Sequence, residues 1–376
     1  MNHGRRALLG SLAAAGLTPL GTWAQAPKSA AGARGPAIAQ IADFSAAQID
    51  ISKDFVLGVR AAVQDFNLKG GLRGKPLQHQ VIEVDSSAAS IKAAVQSIKA
   101  DSQVVAMVGT VGSTAASQVA DLLVRDLPDV AHVAPWLQSN RSDSGDNTFT
   151  IFASRQEQIT FALKSLAVMG VQEIGAVYAT QSELSQYRSE IEQVARNLKL
   201  SCKHVGPAVD LQQLGRTLTS TSPRILVFLG GTPELAQFTL GIDKQASQRY
   251  IVAMSDVNLQ TLQQMGMSRH APVIATQVVP LTNAGLPVVK SYRDTLNRLF
   301  DEAPTPQSLA GFVAARYCFD VLRTVEANPT RSTVLAAFQQ RNAVELGGFK
   351  ADPDSKRRGS AYVTQSMIAS DGRIVG

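Results

Sequence analysis

Val104-Val105-Ala106-Met107-Val108-Gly109-Thr110-Val111-Gly112-Ser113-Thr114 is the stretch on which the fold turns. Its first five residues are uninterruptedly apolar and mostly β-branched. That suits a strand covered on both faces, where no inside–outside alternation is needed. Two glycines and a threonine follow, and then an amphipathic stretch over 114–126 that reads as a helix. A short apolar strand running through a small-residue loop into a long helix is half of a βαβ unit, and it predicts a parallel sheet.

The same alternation extends in both directions. Strands are predicted at Ala37–Ala42, Gln80–Val84, Val130–Ala134, Ile174–Tyr178, Ile225–Leu229, Tyr250–Met254 and Val273–Val278, with a further strand over 149–152. Helices are predicted at 53–68, 88–100, 156–169, 183–199, 232–245, 288–302 and 308–327. So many strands exceed one comfortable sheet, and the sequence reads as two doubly wound α/β lobes. Candidate crossings between lobes are the polar run Gln138–Asn147, the segment Pro280–Pro287 and Asn328-Pro329. The C-terminal part, from Gly347-Gly348-Phe349 to Asp371-Gly372, reads as an antiparallel hairpin with a charged turn.

The chain has 376 residues, 45% hydrophobic and 18% charged, with a formal net charge of +6 and only 6% aromatics. That is enough for about two compact domains, and it excludes a disordered or collagen-like chain. The basic residues are scattered, so a mildly basic, solvated surface is expected and no nucleic-acid partner. Residues 1–26 read as an export signal: Arg5-Arg6, an apolar run from Ala7 to Leu17 and small residues around Ala24-Gln25-Ala26. A twin-arginine signal and an ordinary Sec signal fit equally. Residues 27–36 read as a flexible leader, and no later apolar run is long enough to span a membrane.

Catalytic and cofactor motifs are missing from the sequence. Gly109 through Ala115 lacks the second glycine of a serine-hydrolase elbow, and no phosphate loop or dinucleotide fingerprint occurs. His3, His79, His132, His204 and His270 stand apart, and Cys202 and Cys318 are the only cysteines, so no metal set and no cofactor is expected. A binding protein fits better than an enzyme.

In open α/β sheets ligands bind outside the carboxyl ends of the strands. The loop carrying Thr110, Ser113 and Thr114 is the richest such place. Ser113 is expected to cap the following helix, whose free amides and dipole would receive an anion such as a carboxylate. A purely structural cap is the other reading of Ser113. Trp136, after Pro135 at the next strand end, reads either as a flat wall at the mouth of a cleft or as a core residue.

Asp65-Phe66-Asn67-Leu68-Lys69-Gly70-Gly71-Leu72-Arg73-Gly74-Lys75-Pro76-Leu77 resembles the N-x-x-GG-x-x-G-[RK]-x-[IL] segment of the branched-chain amino-acid-binding family of periplasmic solute-binding proteins. Val108-Gly109 through Ser113, Gly311 through Tyr317, and Leu346-Gly347-Gly348-Phe349 through Gly372-Arg373 resemble the same family in the same order. The resemblance implies the type I periplasmic-binding fold, with two Rossmann-like lobes joined by three hinge crossings. It divides the chain as 34–150 with 281–328, and 151–280 with 329–376. It implies a monomer in the periplasm that captures an amino-acid-like ligand and delivers it to an inner-membrane ABC permease; a module reporting to a membrane receptor is the alternative.

By the same resemblance Ser113 and its neighbours bind the ligand carboxylate, and Gln138 and Ser139 lie on the assisting loop. Asp256 occupies the place of the ammonium acceptor, although an Asp there could equally cap the next helix. Tyr178 and Thr232, at two further strand ends, complete the expected ligand-facing set. Gln181-Ser182-Glu183-Leu184 departs from the Tyr-Gly that leucine-binding members carry, and Thr232-Pro233 replaces a tyrosine. With Cys318 on the first lobe and Cys202 on the second, two unpaired thiols are expected.

Overall fold

β1 (Ala37–Asp43) is buried along its whole length and is an interior strand of the first sheet. The computed structural model describes residues 35–137, 145–243, 247–268, 271–326, 328–354, 361–369 and 373–376. The expected signal, most of the expected leader, and the turn at Asp371-Gly372 lie outside them. After β1 come α1 (Ile49–Leu68), β2 (Gln78–Val84), α2 (Ala88–Ala100), β3 (Val104–Val108), α3 (Ser113–Asp126), β4 (Ala131–Val133) and β5 (Thr148–Phe149). The strands pair in parallel in the order β2-β1-β3-β4-β5. The winding therefore reverses between β1 and β3. All five residues of β3 are buried, as its unbroken apolar run requires.

The second sheet is built from the next segment. Its elements are α4 (Arg155–Val168), β6 (Glu173–Tyr178), α5 (Gln181–Asn197), β7 (Ser201–Val205), α6 (Leu211–Arg216), β8 (Ile225–Leu229), α7 (Thr232–Ile242), β9 (Tyr250–Ala253), α8 (Leu259–Gln264) and β10 (Val273–Gln277). Then follow α9 (Pro287–Leu299), α10 (Pro306–Thr324), α11 (Arg331–Gln339), β11 (Val344–Glu345), β12 (Lys350–Ala351), β13 (Thr364–Ile368) and β14 (Ile374–Val375). The order among the described residues is β14-β13-β10-β9-β8-β6-β7, parallel from β7 to β10 and antiparallel at β13 and β14. Here the winding reverses between β6 and β8.

Each sheet is covered on both faces. On the first, Phe55, Val59, Tyr292, Phe312 and Phe338 from α1, α9, α10 and α11 meet Val108 and Val133, while Ile91, Val95, Val119 and Leu123 from α2 and α3 fill the other side. On the second, α6, α7 and α8 lie on one face and Ile159, Leu163, Tyr187 and Ile191 of α4 and α5 on the other. The architecture is two doubly wound α/β lobes, as the sequence predicts.

The boundary expected at residue 329 is displaced. α11 packs in the first lobe, where Phe338 meets Phe149 and Tyr317 with ring centroids 5.3 and 5.6 Å apart. Arg331 donates to the carbonyls of Ile98, Asp101 and Val104 at 2.6, 2.8 and 3.0 Å. The apolar stripe of Val334 and Phe338 finds its partners on the first sheet, so the third crossing comes after β12 instead of at residue 329. The expected C-terminal hairpin is likewise two separate pairings. β12 pairs with β11, whereas β13 joins β10 and carries β14.

The segment from Asn67 to Leu77 is closed by one side chain. Asn67 Nδ2 donates to the Leu77 carbonyl and its Oδ1 accepts the Leu77 amide, both at 2.8 Å. Both cysteines are free, Cys202 half-buried on β7 and Cys318 buried on α10. Burial pushes the Cys202 thiol up to about 11 and raises that of Cys318 further. Among the described residues no helix is long and apolar enough to cross a membrane.

Candidate functional site

Both winding reversals face one cleft. On the first-lobe side α3 begins directly after the β3 loop. Its N-cap is Gly112 rather than Ser113, and no side chain caps it. Gly112 holds φ at 106°, and a Cβ there would stand 2.5 Å from the Cβ of Asp43. Glycine is therefore required, and a glycine cap offers no acceptor to the first amides of the helix. Ser113 becomes the first helical residue, half-exposed, with Thr114 exposed beside it. The expectation of a Ser113 cap is corrected, and the helix start is left more open to an anion than a serine cap would leave it.

On the second-lobe side α5 begins after β6. Thr180 caps it, accepting the Glu183 amide at 3.3 Å and donating to Glu183 Oε2 at 2.9 Å. Between the two helix starts lies a cleft of about 420 Å³. Ser113, Thr114, Ser117 and Gln118 form one wall, and Arg155, Thr180, Ser182, Glu183, Gln186 and Tyr187 the other. Ligand pockets of small molecules commonly measure some 300–1,000 Å³.

Arg155, the first residue of α4, is only 6% exposed. Its Nη2 is paired with Asp256 Oδ2, its Nη1 lies 3.4 Å from Glu183 Oε1, and its guanidinium sits 5.1 Å from the Tyr187 ring centre. Burial opposes its charge, but Asp256, Tyr187 and Glu183 together outweigh that and hold it protonated beyond its ordinary range. Burial raises the Glu183 carboxyl above its usual range despite the nearby Arg155. Asp256, 5% exposed, also accepts the Trp136 indole N–H at 3.2 Å, a contact between lobes.

Trp136 is therefore part of the first-lobe core and not a wall at the cleft mouth. It is 3% exposed and packs against Phe55 and Phe152 with ring centroids 5.7 and 5.4 Å away. The loop after β9 is held to the first lobe at two further points. Gln307 Nε2 donates to the Ser255 carbonyl at 3.0 Å, and Asn258 Nδ2 donates to Asp54 Oδ2 at 2.8 Å. Asn258 caps α8, so Asp256 does not.

Three expected ligand-facing residues are instead buried with their polar atoms engaged. Thr110 Oγ1 lies 2.8 Å from His132 Nε2, Tyr178 OH lies 2.9 Å from His204 Nδ1, and Thr232 Oγ1 accepts the Asn258 amide at 3.0 Å. Gln138 and Ser139 lie outside the described residues. Of the expected set, Ser113 and Thr114 line the cleft, and Trp136 and Asp256 meet behind it. Arg155 carries no site signal in the sequence, and α5 enters the sequence reading only through the departure from the family pattern at Gln181–Leu184. A signal for α5 lay in the T-x-x-E pattern of Thr180 and Glu183 directly after a predicted strand, because it marks a helix start at a strand's carboxyl end.

The profile of a family described as periplasmic binding protein matches residues 37–370. This chain belongs to that family. The resemblance to its branched-chain amino-acid-binding, type I members thus holds for the chain as a whole. This binding protein resembles the extracellular ligand-binding receptor of Verminephrobacter eiseniae at TM-score 0.81 and 18% identity, covering 91% of this chain and 100% of that one. It resembles a fatty acid ABC transporter substrate-binding protein from Thermomonospora curvata at TM-score 0.79 and 13% identity, covering 91% of each chain. It also resembles a branched-chain amino acid transporter substrate-binding protein from Streptococcus pneumoniae in complex with isoleucine, at TM-score 0.76 and 14% identity, covering 91% and 98%. No curated sequence matches it.

Proposed function

We propose that this chain is an exported, monomeric solute-binding protein that captures a small carboxylate-bearing, amino-acid-like ligand between its lobes and hands it to an inner-membrane ABC permease in the periplasm. The observation that carries this reading is the α3 start, which has no side-chain cap and opens into the 420 Å³ cleft opposite the start of α5. Uncapped amides at the positive end of a helix favour an anion, and Ser113 and Thr114 add hydroxyl donors beside them. Gln138 and Ser139 remain candidates for further contacts from the loop after β4. Isoleucine and a fatty acid, named for two structural neighbours, share a carboxylate and differ in the ammonium. No step of chemical conversion is assigned to the site.

Mass spectrometry of the compound that co-purifies from the native host, followed by calorimetry, tests the proposal. Ser113→Ala should weaken binding of that compound by about 1–2 kcal/mol, the usual loss of a hydrogen bond to a charged group. Folding stability should change by less than about 0.5 kcal/mol, because Ser113 caps nothing. An unaltered affinity, or a ligand without an anionic or strongly accepting group, would remove Ser113 and the α3 start from the site.

A further inference from the structure

We infer that Glu183, and not Asp256, is the residue that receives the ligand's ammonium and so makes the cleft selective for a zwitterion. The inference rests on the reading of the α3 start as the carboxylate site, and it adds the second pole.

Both oxygens of Asp256 are engaged. Oδ2 is taken by the Arg155 guanidinium and Oδ1 by the Trp136 indole N–H, and the residue is not part of the cleft wall. Asp256 is 5% exposed and stands outside the cleft wall, so it offers a ligand ammonium little open surface. Glu183 stands in the cleft wall with 17% of its side chain exposed. Its Oε2 accepts only from Thr180, and Oε1 faces Arg155 at 3.4 Å, the long limit of a hydrogen bond.

One guanidinium thus stands between two carboxylates, so the lobe-2 wall carries a residual negative charge when Glu183 is ionised. Glu234 and Asp256 add to the repulsion that Glu183 feels, Tyr187 is the other titratable group beside Arg155, and Glu190 lies near Tyr187. Burial and these carboxylates raise the Glu183 carboxyl more than Arg155 lowers it. An added cation is what this wall lacks. The opposite wall, Ser113, Thr114, Ser117 and Gln118, has no charged side chain and presents the positive helix end. A molecule that carries both a carboxylate and an ammonium can answer one wall with each. Glu183 falls in the stretch where the chain departs from the leucine-binding pattern, so the departure itself supplies the charge.

The test uses L-amino acids paired with the same carbon skeletons lacking the amino group, such as L-leucine with 4-methylpentanoate and L-phenylalanine with 3-phenylpropanoate, titrated calorimetrically. The wild-type protein should prefer the amino acid of at least one pair by about tenfold or more, the scale of one charge-assisted contact. Glu183→Gln, which keeps the shape and one acceptor, should bring that ratio near unity while leaving the deaminated acid's affinity in place. Just above the ordinary carboxylate range, binding of the zwitterion should release protons, seen as a heat that varies with buffer, and the release should vanish in E183Q. Equal or tighter binding of the deaminated acids by the wild type overturns the assignment without any variant being needed. An unchanged ratio in E183Q overturns it too. If no member of either series binds, the carboxylate reading itself falls, and this inference with it.

Discussion

Asp54 of α1 lies where the first lobe meets the loop after β9, its Oδ2 accepting from the Asn258 side-chain Nδ2. Burial, helped by the charges of Asp50 and Glu302, pushes its carboxyl up to about 6, against the opposing bonds from Thr305 and Asn258. Because the folded value lies above the unfolded one, the protonated acid favours the assembled state. That contribution is complete below about pH 4 and is lost as pH rises through 6. Asp54→Asn should therefore raise the melting temperature at pH 7 relative to wild type, with the difference shrinking towards pH 4. A scanning fluorimetry series over pH 4–8 checks this, and a constant difference would mean that Asp54 does not titrate at the interface. Ser113 and Thr114 could be found in the sequence because a loop between strand and helix has a fixed place in the fold. The pairing of Asp54 with Asn258 and of Asp256 with Arg155 and Trp136 could not, because it depends on which segments the fold presses together, and local spacing carries no record of that.

The crossing of α1 and α10 is the closest helix contact in the first lobe. A Cβ on Gly58 would stand 1.8 Å from the Ser308 carbonyl oxygen, and one on Gly311 would stand 2.0 Å from that of Phe55. Both obstacles are backbone, so neither can rotate away. Gly58→Ala should destabilise the protein by about 2–3 kcal/mol despite alanine's better helix propensity, since overpacking outweighs that gain. Urea unfolding measures it, and a neutral or stabilising result would show that the helices stand further apart. The long helices and buried strands were legible because their apolar periodicities are strong. β7, reading Ser201-Cys202-Lys203-His204-Val205, has no apolar run to mark it, because an edge strand is only half-covered and carries polar residues; the family resemblance alone puts Cys202 on a strand. α11 and the β11–β12 pair are short, and their burial is decided by the first sheet.

At the scale of the whole molecule Trp136 reports on the meeting of the lobes. It is the sole tryptophan outside the expected signal, it is buried, and its N–H bonds to Asp256 of the other lobe. Separation of the lobes would wet one edge of the indole and remove that acceptor. Stripping the co-purified ligand should shift its emission to the red, and re-adding the ligand should reverse the shift. An emission maximum that ignores ligand would mean that Trp136 stays sealed while the lobes move. The two-lobe plan was readable from the count of strands. The allotment of 331–351 was not, because one more helix after Asn328-Pro329 can cover either sheet. Its actual place has a consequence for the order of synthesis. Strands made first, from β1 to β5, wait for α9, α10 and α11 to roof one of their faces. Once β10 has left the ribosome, β6 to β10 and their helices are ready to collapse, while that face of the N-terminal sheet is covered by α1 alone. The lobe translated first therefore stays unfinished through the whole synthesis of β6 to β10, and the growing chain depends on whatever shields it in the meantime.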